Sequence, residues 1–563
     1  MPSIVKLSKL ILSWWCVSLA VASGAGVTGV PDPVGEGWES EGFAVEVGDL
    51  LKRMGAGMLG RVEEEAKGVG EVVFDGGGFS VRRWAGGGRM GIEAAVAGLR
   101  GVFAGGEIER VKFKVVRVEG ARTRQLVAVS GLVAGGVLEV NGEWGIGWED
   151  GEISEVEVGE YEAVSKEGAR LFVDATDGVL PRDAEVRRQY SHGTDYWRQR
   201  VEVYNRMFKF GYAGLAVGDA DGDGLDDVYS CQNGGLPNRL WLQSRDGTLR
   251  EATAGSGLGI LDATRAALFL DLDNDGDQDV VATTPGALVF FENSGGGKFV
   301  ARSRSRVSGN GYGLAAADYD GNGFLDIYVC RYHADQAEGA QLAVPVPYFN
   351  AENGGRNFLV RNRGPGDRSK GEWLRLDDAT VGVGLDVGNT RFSFAAVWDD
   401  LDGDGDQDLY VANDFGRNVC YENRLVPDGE AKFVEVSMGA GLKDGGFGMS
   451  VSTGDFDRDG RRDLYVGNMY SGAGNRVTRQ PKFRAGDSEA VKGEFREMAD
   501  GNGIFLGRGD AGGGLRFENT SDVSGARMGR WSWGCVSADV NNDGWEDVLV
   551  GNGYVTGREA DDL

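Results

Sequence analysis

A chain of 563 residues exceeds a single compact core, so roughly two to four domains or a repeat array are expected. Its 87 acidic residues against 59 basic ones give a formal net charge of −28, which argues against nucleic acid and anionic membrane surfaces as partners. Only two histidines, His192 and His333, accompany 95 glycines, a composition poor in acid–base catalysts and rich in turns.

The N-terminus, MPSIVKLSKLILSWWCVSLAVASGAG, sets Lys6 and Lys9 before an apolar run from Leu10 to Ala22 that ends in Ala20-Val21-Ala22. This is the organisation of a cleavable export signal over residues 1–22. The competing reading, a membrane anchor, needs roughly 20 apolar residues where this run has about 13. Cys16 follows Ser13-Trp14-Trp15, which is unlike the context of a lipid-modified cysteine. The expected location is secreted, periplasmic or cell-surface, with no membrane insertion after signal cleavage.

Residues 35–165 read as a small α+β domain. Helical patterns at 49–68 and 91–105 precede alternating strands at 111–119, 124–133, 137–149 and 153–164. The order faintly resembles the NTF2-like cone fold, without a catalytic dyad. Trp144 and Trp148 lie four apart on one strand and so share a face, in the core or as a ligand platform.

The stretch DLDGDGDQD at 400–408 sets Asp400, Asp402, Asp404, Asp406 and Asp408 beside Gly403 and Gly405. Like charges this close repel, and folded chains avoid the arrangement unless a cation sits inside it. Five further copies occur: DADGDGLDD (219–227), DLDNDGDQD (271–279), DYDGNGFLD (318–326), DFDRDGRRD (455–463) and DVNNDGWED (539–547). Each has Asp or Asn at the first, third and fifth positions, Gly at the sixth and Asp at the ninth. Alternate side chains converge in a tight loop, the seventh residue offers its carbonyl, and the ninth closes the far side. This is the hard oxygen shell that Ca²⁺ prefers, with Gly at the sixth position for the left-handed turn.

The candidate ligands are Asp219, Asp221, Asp223 and Asp227; Asp271, Asp273, Asp275 and Asp279; and Asp318, Asp320, Asn322 and Asp326. The remaining three loops offer Asp400, Asp402, Asp404 and Asp408; Asp455, Asp457, Asp459 and Asp463; and Asp539, Asn541, Asp543 and Asp547. An EF-hand needs Glu at the twelfth position, where these copies have Ser230, Ala282, Val329, Val411, Val466 and Val550. No copy is an EF-hand. Short β-branched or aromatic runs follow each loop, and segments such as NRLWLQSRDGTLREAT (238–253) and VFFENSGGGKFV (289–300) read as hairpins. Each unit thus carries four strands. Motif starts are separated by 52, 47, 82, 55 and 84 residues, so the long intervals hold insertions, at 331–356 and 470–512.

These repeats resemble the FG-GAP, or VCBS-type, repeats of integrin α-like β-propellers, and most closely the exported bacterial cartilage-acidic-protein-like family. The resemblance covers about residues 168–555 and implies a mainly β, Ca²⁺-binding propeller of six to seven four-stranded blades over 168–563, with about one Ca²⁺ per loop and up to six in all. Asn322 and Asn541 depart from the family pattern and remove one charge each, which implies weaker sites. The chain stops soon after its sixth loop, as a truncated propeller would. Residues 171–180, LFVDATDGVL, resemble the end of a hairpin segment, so the strand near 171–175 is expected to complete the last blade and close the ring.

No GxSxG, HExxH or P-loop pattern occurs, and each histidine lies in a loop or linker. DGGGFS (75–80) and GDAGGGL (509–515) read as turns. Cys231, Cys330, Cys420 and Cys535 are widely spaced and permit either two disulfides or buried free thiols. Three functions stay open: a non-catalytic binding or adhesion module for extracellular polysaccharide or protein, a propeller-based polysaccharide lyase or dehydratase, and a structural protein of an export or surface assembly.

Overall fold

The computed structural model describes residues 39–63, 70–86, 88–180, 184–192, 196–197, 199–201, 214–305, 311–334, 344–509 and 514–552. The expected signal, residues 1–22, lies outside them. The chain divides into two compact units: Met1–Val173 with Ser471–Ala499 and Asp539–Gly544, and Asp174–Tyr470 with Asp500–Ala538 and Trp545–Leu563.

In the first unit, helix Glu39–Gly57 buries Ala44, Val47 and Leu51, one stripe at helical spacing. It starts ten residues before the expected 49, and helix Ile92–Gly101 falls within the expected 91–105. Eight strands form one antiparallel sheet: Gly60–Arg61 (β1), Glu71–Gly76 (β2), Phe79–Trp84 (β3), Gly88–Met90 (β4), Glu107–Glu119 (β5), Arg122–Val133 (β6), Gly136–Glu149 (β7) and Glu152–Glu167 (β8). Its order is β1-β5-β6-β7-β8-β3-β2, with β4 beside β8. The hairpin β2–β3 turns at Gly77 and Gly78, both at positive φ, within the DGGGFS stretch read as a turn. Trp144 is fully buried and donates to the Tyr161 hydroxyl, and Trp148 donates to Thr123 Oγ1 at 2.8 Å. Both tryptophans are core. Helices Gly472–Thr478 and Glu489–Glu497 form inside the 470–512 insertion, capped by Ser471 and Ser488. The former packs on β5, where Arg476 pairs with Glu41 at 2.9 Å and donates to the Val115 carbonyl at 2.6 Å.

The second unit repeats one sheet. The first copy joins Leu215–Gly218 (β9), Asp227–Ser230 (β10), Arg239–Gln243 (β11) and Leu249–Glu251 (β12). The second joins Ala267–Leu270 (β13), Asp279–Thr284 (β14), Ala287–Asn293 (β15) and Phe299–Ser305 (β16). The third joins Gly311–Ala317 (β17), Asp326–Arg331 (β18), Phe358–Pro365 (β19) and Leu374–Asp378 (β20). The fourth joins Phe392–Asp399 (β21), Asp408–Phe415 (β22), Val419–Asn423 (β23) and Phe433–Glu435 (β24). The fifth joins Ser450–Gly454 (β25), Asp463–Gly467 (β26), Gly503–Gly507 (β27) and Phe517–Asn519 (β28). Ser532–Ala538 (β29) and Asp547–Asn552 (β30) then pair as a two-stranded sheet.

Second strands such as β14, β18 and β22 are buried along their whole length. Covered on both faces, they read as continuous apolar runs instead of alternating ones. First strands of successive sheets lie side by side, β17 by β21, β21 by β25 and β25 by β29. The fold is mainly β, built of four-stranded antiparallel blades.

One expectation is corrected. Residues 171–175 form no strand, and Leu171, Phe172 and Val173 are 40, 61 and 75% exposed, so no blade buries them. Their resemblance to a hairpin end came from a short polar turn followed by apolar residues, a pattern that any surface turn satisfies. No helix among the described residues is long and apolar enough to cross a membrane, which leaves membrane-spanning strands unaddressed.

Candidate metal centres

Each Asp-rich loop connects the first and second strands of its sheet, and its ninth residue opens the second strand. Those ninth-position carboxylates, Asp227, Asp279, Asp326, Asp408 and Asp463, are at most 1% exposed. Each accepts two backbone N–H groups. Asp227 takes Ala220 and Gln243 at 2.9 and 2.7 Å, Asp279 takes Leu272 and Asn293 at 3.1 and 2.8 Å, and Asp326 takes Tyr319 and Asn362 at 3.3 and 2.7 Å. Asp408 takes Leu401 and Asn423 at 3.0 and 2.8 Å, and Asp463 takes Phe456 and Gly507 at 2.7 and 2.8 Å. The ninth residue therefore ties the loop to the third strand and keeps one lone pair per oxygen for other work. Burial pushes Asp279 up to about 7 and Asp326 and Asp408 up to about 8, and raises Asp227 and Asp463 as well.

First-position carboxylates face the loop backbone. Asp219 accepts Gly222, Asp223 and Gly224 N–H at 2.8, 3.1 and 2.9 Å, and Asp400 accepts Gly403 and Gly405 N–H at 2.8 and 3.1 Å. Gly224, Gly276, Gly323, Gly405 and Gly460 all sit at positive φ, as the sixth position requires. Fifth-position oxygens accept the seventh N–H, as Asp223 does from Leu225 at 2.9 Å, Asp275 from Asp277 at 3.2 Å and Asn322 from Phe324 at 2.9 Å.

The loops bring carboxylate oxygens within 4.8 Å of one another in five places: Asp219, Asp221 and Asp227; Asp271, Asp273 and Asp279; Asp318, Asp320 and Asp326; Asp400, Asp402 and Asp404; and Asp455, Asp457 and Asp463. The fifth-position residues Asp223, Asp275 and Asp459 are not in these groups, and in the fourth loop the fifth position replaces the ninth. Four of the clusters contain a buried carboxylate oxygen without a donor: Asp221 Oδ1, Asp273 Oδ1, Asp320 Oδ1 and Asp455 Oδ1. A buried anionic oxygen with no hydrogen bond is costly, and a cation is the group that would satisfy it. The residues present therefore fit Ca²⁺.

The loops differ in their neighbouring cations. Asp273 Oδ2 accepts from Trp373 Nε1 at 2.6 Å and Arg368 at 3.1 Å, and Asp320 pairs with Arg361. Arg508 reaches Asp457 at 2.7 Å, and Arg461 reaches Asp459 at 3.2 Å. In the sixth copy Asn541 Nδ2 donates to Asp543 Oδ2 at 3.0 Å, so Asn541 acts there as a donor. A Cβ on Gly77 of the β2–β3 turn would lie 2.6 Å from Asp543 Oδ2, so that turn covers the residue closely.

Sequence reasoning missed the asparagines that stitch blade to blade. Asn293, Asn362 and Asn423 lie on the third strands and donate to the second-position carbonyls of the preceding loops, Ala220, Leu272 and Tyr319, at 3.0, 2.7 and 3.0 Å. Their signal was the recurring EN or RN dipeptide in the hairpin segments.

The remaining chemistry is sparse. His192 is exposed and stacks on Tyr196 at 3.7 Å. Burial pushes His333 down to about 4, and it packs edge-on against Tyr332, whose hydroxyl bonds the buried Asp414. Burial pushes Asp414 up to about 7. Cys231, Cys330, Cys420 and Cys535 are free thiols; burial raises Cys231 to about 12 and Cys535 to about 11.

Three stretches, 219–282, 271–329 and 400–466, match the FG-GAP-like repeat model. Those stretches carry FG-GAP-like repeats, and four-stranded antiparallel sheets recur along them. Cartilage acidic protein 1 of Xenopus tropicalis is 24% identical over 319 residues, 53% of this chain and 43% of that protein, so the chain spans less than half of that relative's length. Among solved structures, an Agrocybe aegerita lectin that recognises non-reducing terminal N-acetylglucosamine aligns over 45% of this chain and 61% of its own, at 16% identity and TM-score 0.27. The Dos1 propeller aligns over 46% and 56%, at 11% identity and TM-score 0.23.

Proposed function

We propose that this is an exported calcium-binding propeller that acts as a non-catalytic binding or adhesion module for an extracellular polysaccharide or protein. The FG-GAP-like repeats support the binding role. What carries the calcium reading is the recurrence of one defect: in five loops a buried carboxylate oxygen lacks any donor while its neighbours are also acidic. About one Ca²⁺ per loop, up to six, neutralises the clusters and stiffens the blades, leaving the loops and insertions to present the binding surface. On this reading residues 168–563 form the propeller and 35–165 a separate small domain.

The enzymatic alternative has one observation in its favour, the juxtaposition of Tyr332, Asp414 and His333. A glycan array run beside uronic-acid lyase assays on the calcium-loaded protein separates the two. Binding without turnover is expected, and turnover abolished by His333→Asn would contradict the binding reading.

A further inference from the structure

The seventh position, whose backbone carbonyl was the expected ligand, carries an aspartate in two loops only: Asp277 in the second and Asp406 in the fourth. Asp406 is 4% exposed. Its Oδ2 accepts the Val426 N–H at 2.8 Å, whereas its Oδ1 is buried without a hydrogen-bond donor. The charges that act on this carboxylate are those of Asp404 and Asp400 in the same loop. The fourth loop is also the one whose clustered oxygens come from the first, third and fifth positions, Asp400, Asp402 and Asp404, instead of the first, third and ninth. Asp406 adjoins this group along the loop without belonging to it. Among the described residues none of Asp400, Asp402, Asp404, Asp406 and Asp408 pairs with Arg or Lys, whereas the second, third and fifth loops each set an arginine against their third-position carboxylate. Asp277 Oδ1 is likewise buried without a donor, but Arg368 already offsets the charge of its loop.

We propose that Asp406 serves as an additional side-chain ligand in the fourth loop, making this loop the tightest cation site of the array and the first to fill. The inference rests on the calcium reading of the repeats. Affinity in oxygen-ligand sites rises with the number of charged ligands, and one more carboxylate with no competing guanidinium is expected to raise it by about tenfold over the other loops.

The test is native mass spectrometry of the full chain, stripped with chelator and titrated with Ca²⁺, with hydrogen–deuterium exchange at one equivalent. The expected result is a one-ion species that fills ahead of the rest, with new protection over residues 400–411. Asp406→Asn keeps an acceptor for the Val426 N–H, and it should weaken that first ion by about tenfold while leaving the later ones in place. Several ions entering as one affinity class, first protection in another loop, or an unchanged first ion in Asp406→Asn would each overturn the inference alone. Failure of the chain to bind any calcium would overturn the calcium reading with it. The wild-type titration decides even if the variant does not fold.

Discussion

The fourth and fifth loops share length, turn glycine and strand context, yet they answer their charge differently. In the fourth, Asp400, Asp402 and Asp404 bring carboxylate oxygens within 4.8 Å of one another, and no basic side chain among the described residues pairs with any of the loop's five aspartates. In the fifth, the seventh position is Arg461, which pairs with Asp459 at 3.2 Å, and Arg508 from the end of β27 reaches Asp457 at 2.7 Å. The fifth loop is partly neutralised from within the protein. The fourth has no such counter-charge among the described residues. One nine-residue pattern therefore spans a range of cation demand, and the residues that set the range lie at the variable seventh position and on the neighbouring hairpin.

The largest effect expected is from chelation. A site held at roughly 100 times its Kd contributes about 2.7 kcal/mol, so stripping several sites should lower the melting temperature by more than about 10 °C. Equal melts with and without EDTA would remove the ion from the account. Next comes a paired substitution. Asp404→Ala is expected to cost one ion and more thermal stability in calcium than Asp459→Ala, because Asp459 is already paired; equal losses would erase the contrast between the loops.

Acidity sharpens the comparison further. Burial holds Asp279 near 7 and Asp326 and Asp408 near 8, above the unfolded carboxyl value of about 4. A raised carboxyl favours folding while protonated, so this contribution is complete below about pH 4 and is lost as pH climbs through 7 to 8. The calcium-free melt should therefore fall between about pH 5.5 and about 8.5 while the calcium-loaded melt holds, so their gap widens. A constant gap would contradict the assignment. Asn423→Ala, which leaves the buried Tyr319 carbonyl without its donor, is expected to cost about 1–3 kcal/mol in urea unfolding with calcium present or absent. The smallest effect is Arg508→Gln, which should raise calcium affinity of the fifth loop a few-fold at most, since the arginine is partly solvated.

Much of this was legible in the sequence because the repeat is local. Nine consecutive residues encode each loop, and a continuous apolar run marks each buried second strand, so spacing alone yields four strands per unit. The role of the ninth aspartate was only partly legible. Its two backbone donors come from the second position and from the third strand, up to 44 residues away for Asp463 and Gly507, so no local pattern declares it. The arginines that offset Asp273 and Asp457 were hidden for the same reason, lying 95 and 51 residues from their partners. The insertion 470–512 read as Gly-rich and polar because its glycines mask two short capped helices, the first packed on β5 and the second on the first. Residues 171–175 failed in the opposite direction, as a local likeness without a partner strand.

The measurement that tests the central claim most directly is the calcium content per chain of the mature protein after dialysis against trace calcium, read by elemental mass spectrometry. The account predicts about five to six calcium ions, with one fewer in Asp404→Ala. Less than one calcium per chain, or a single transition metal in its place, would contradict it.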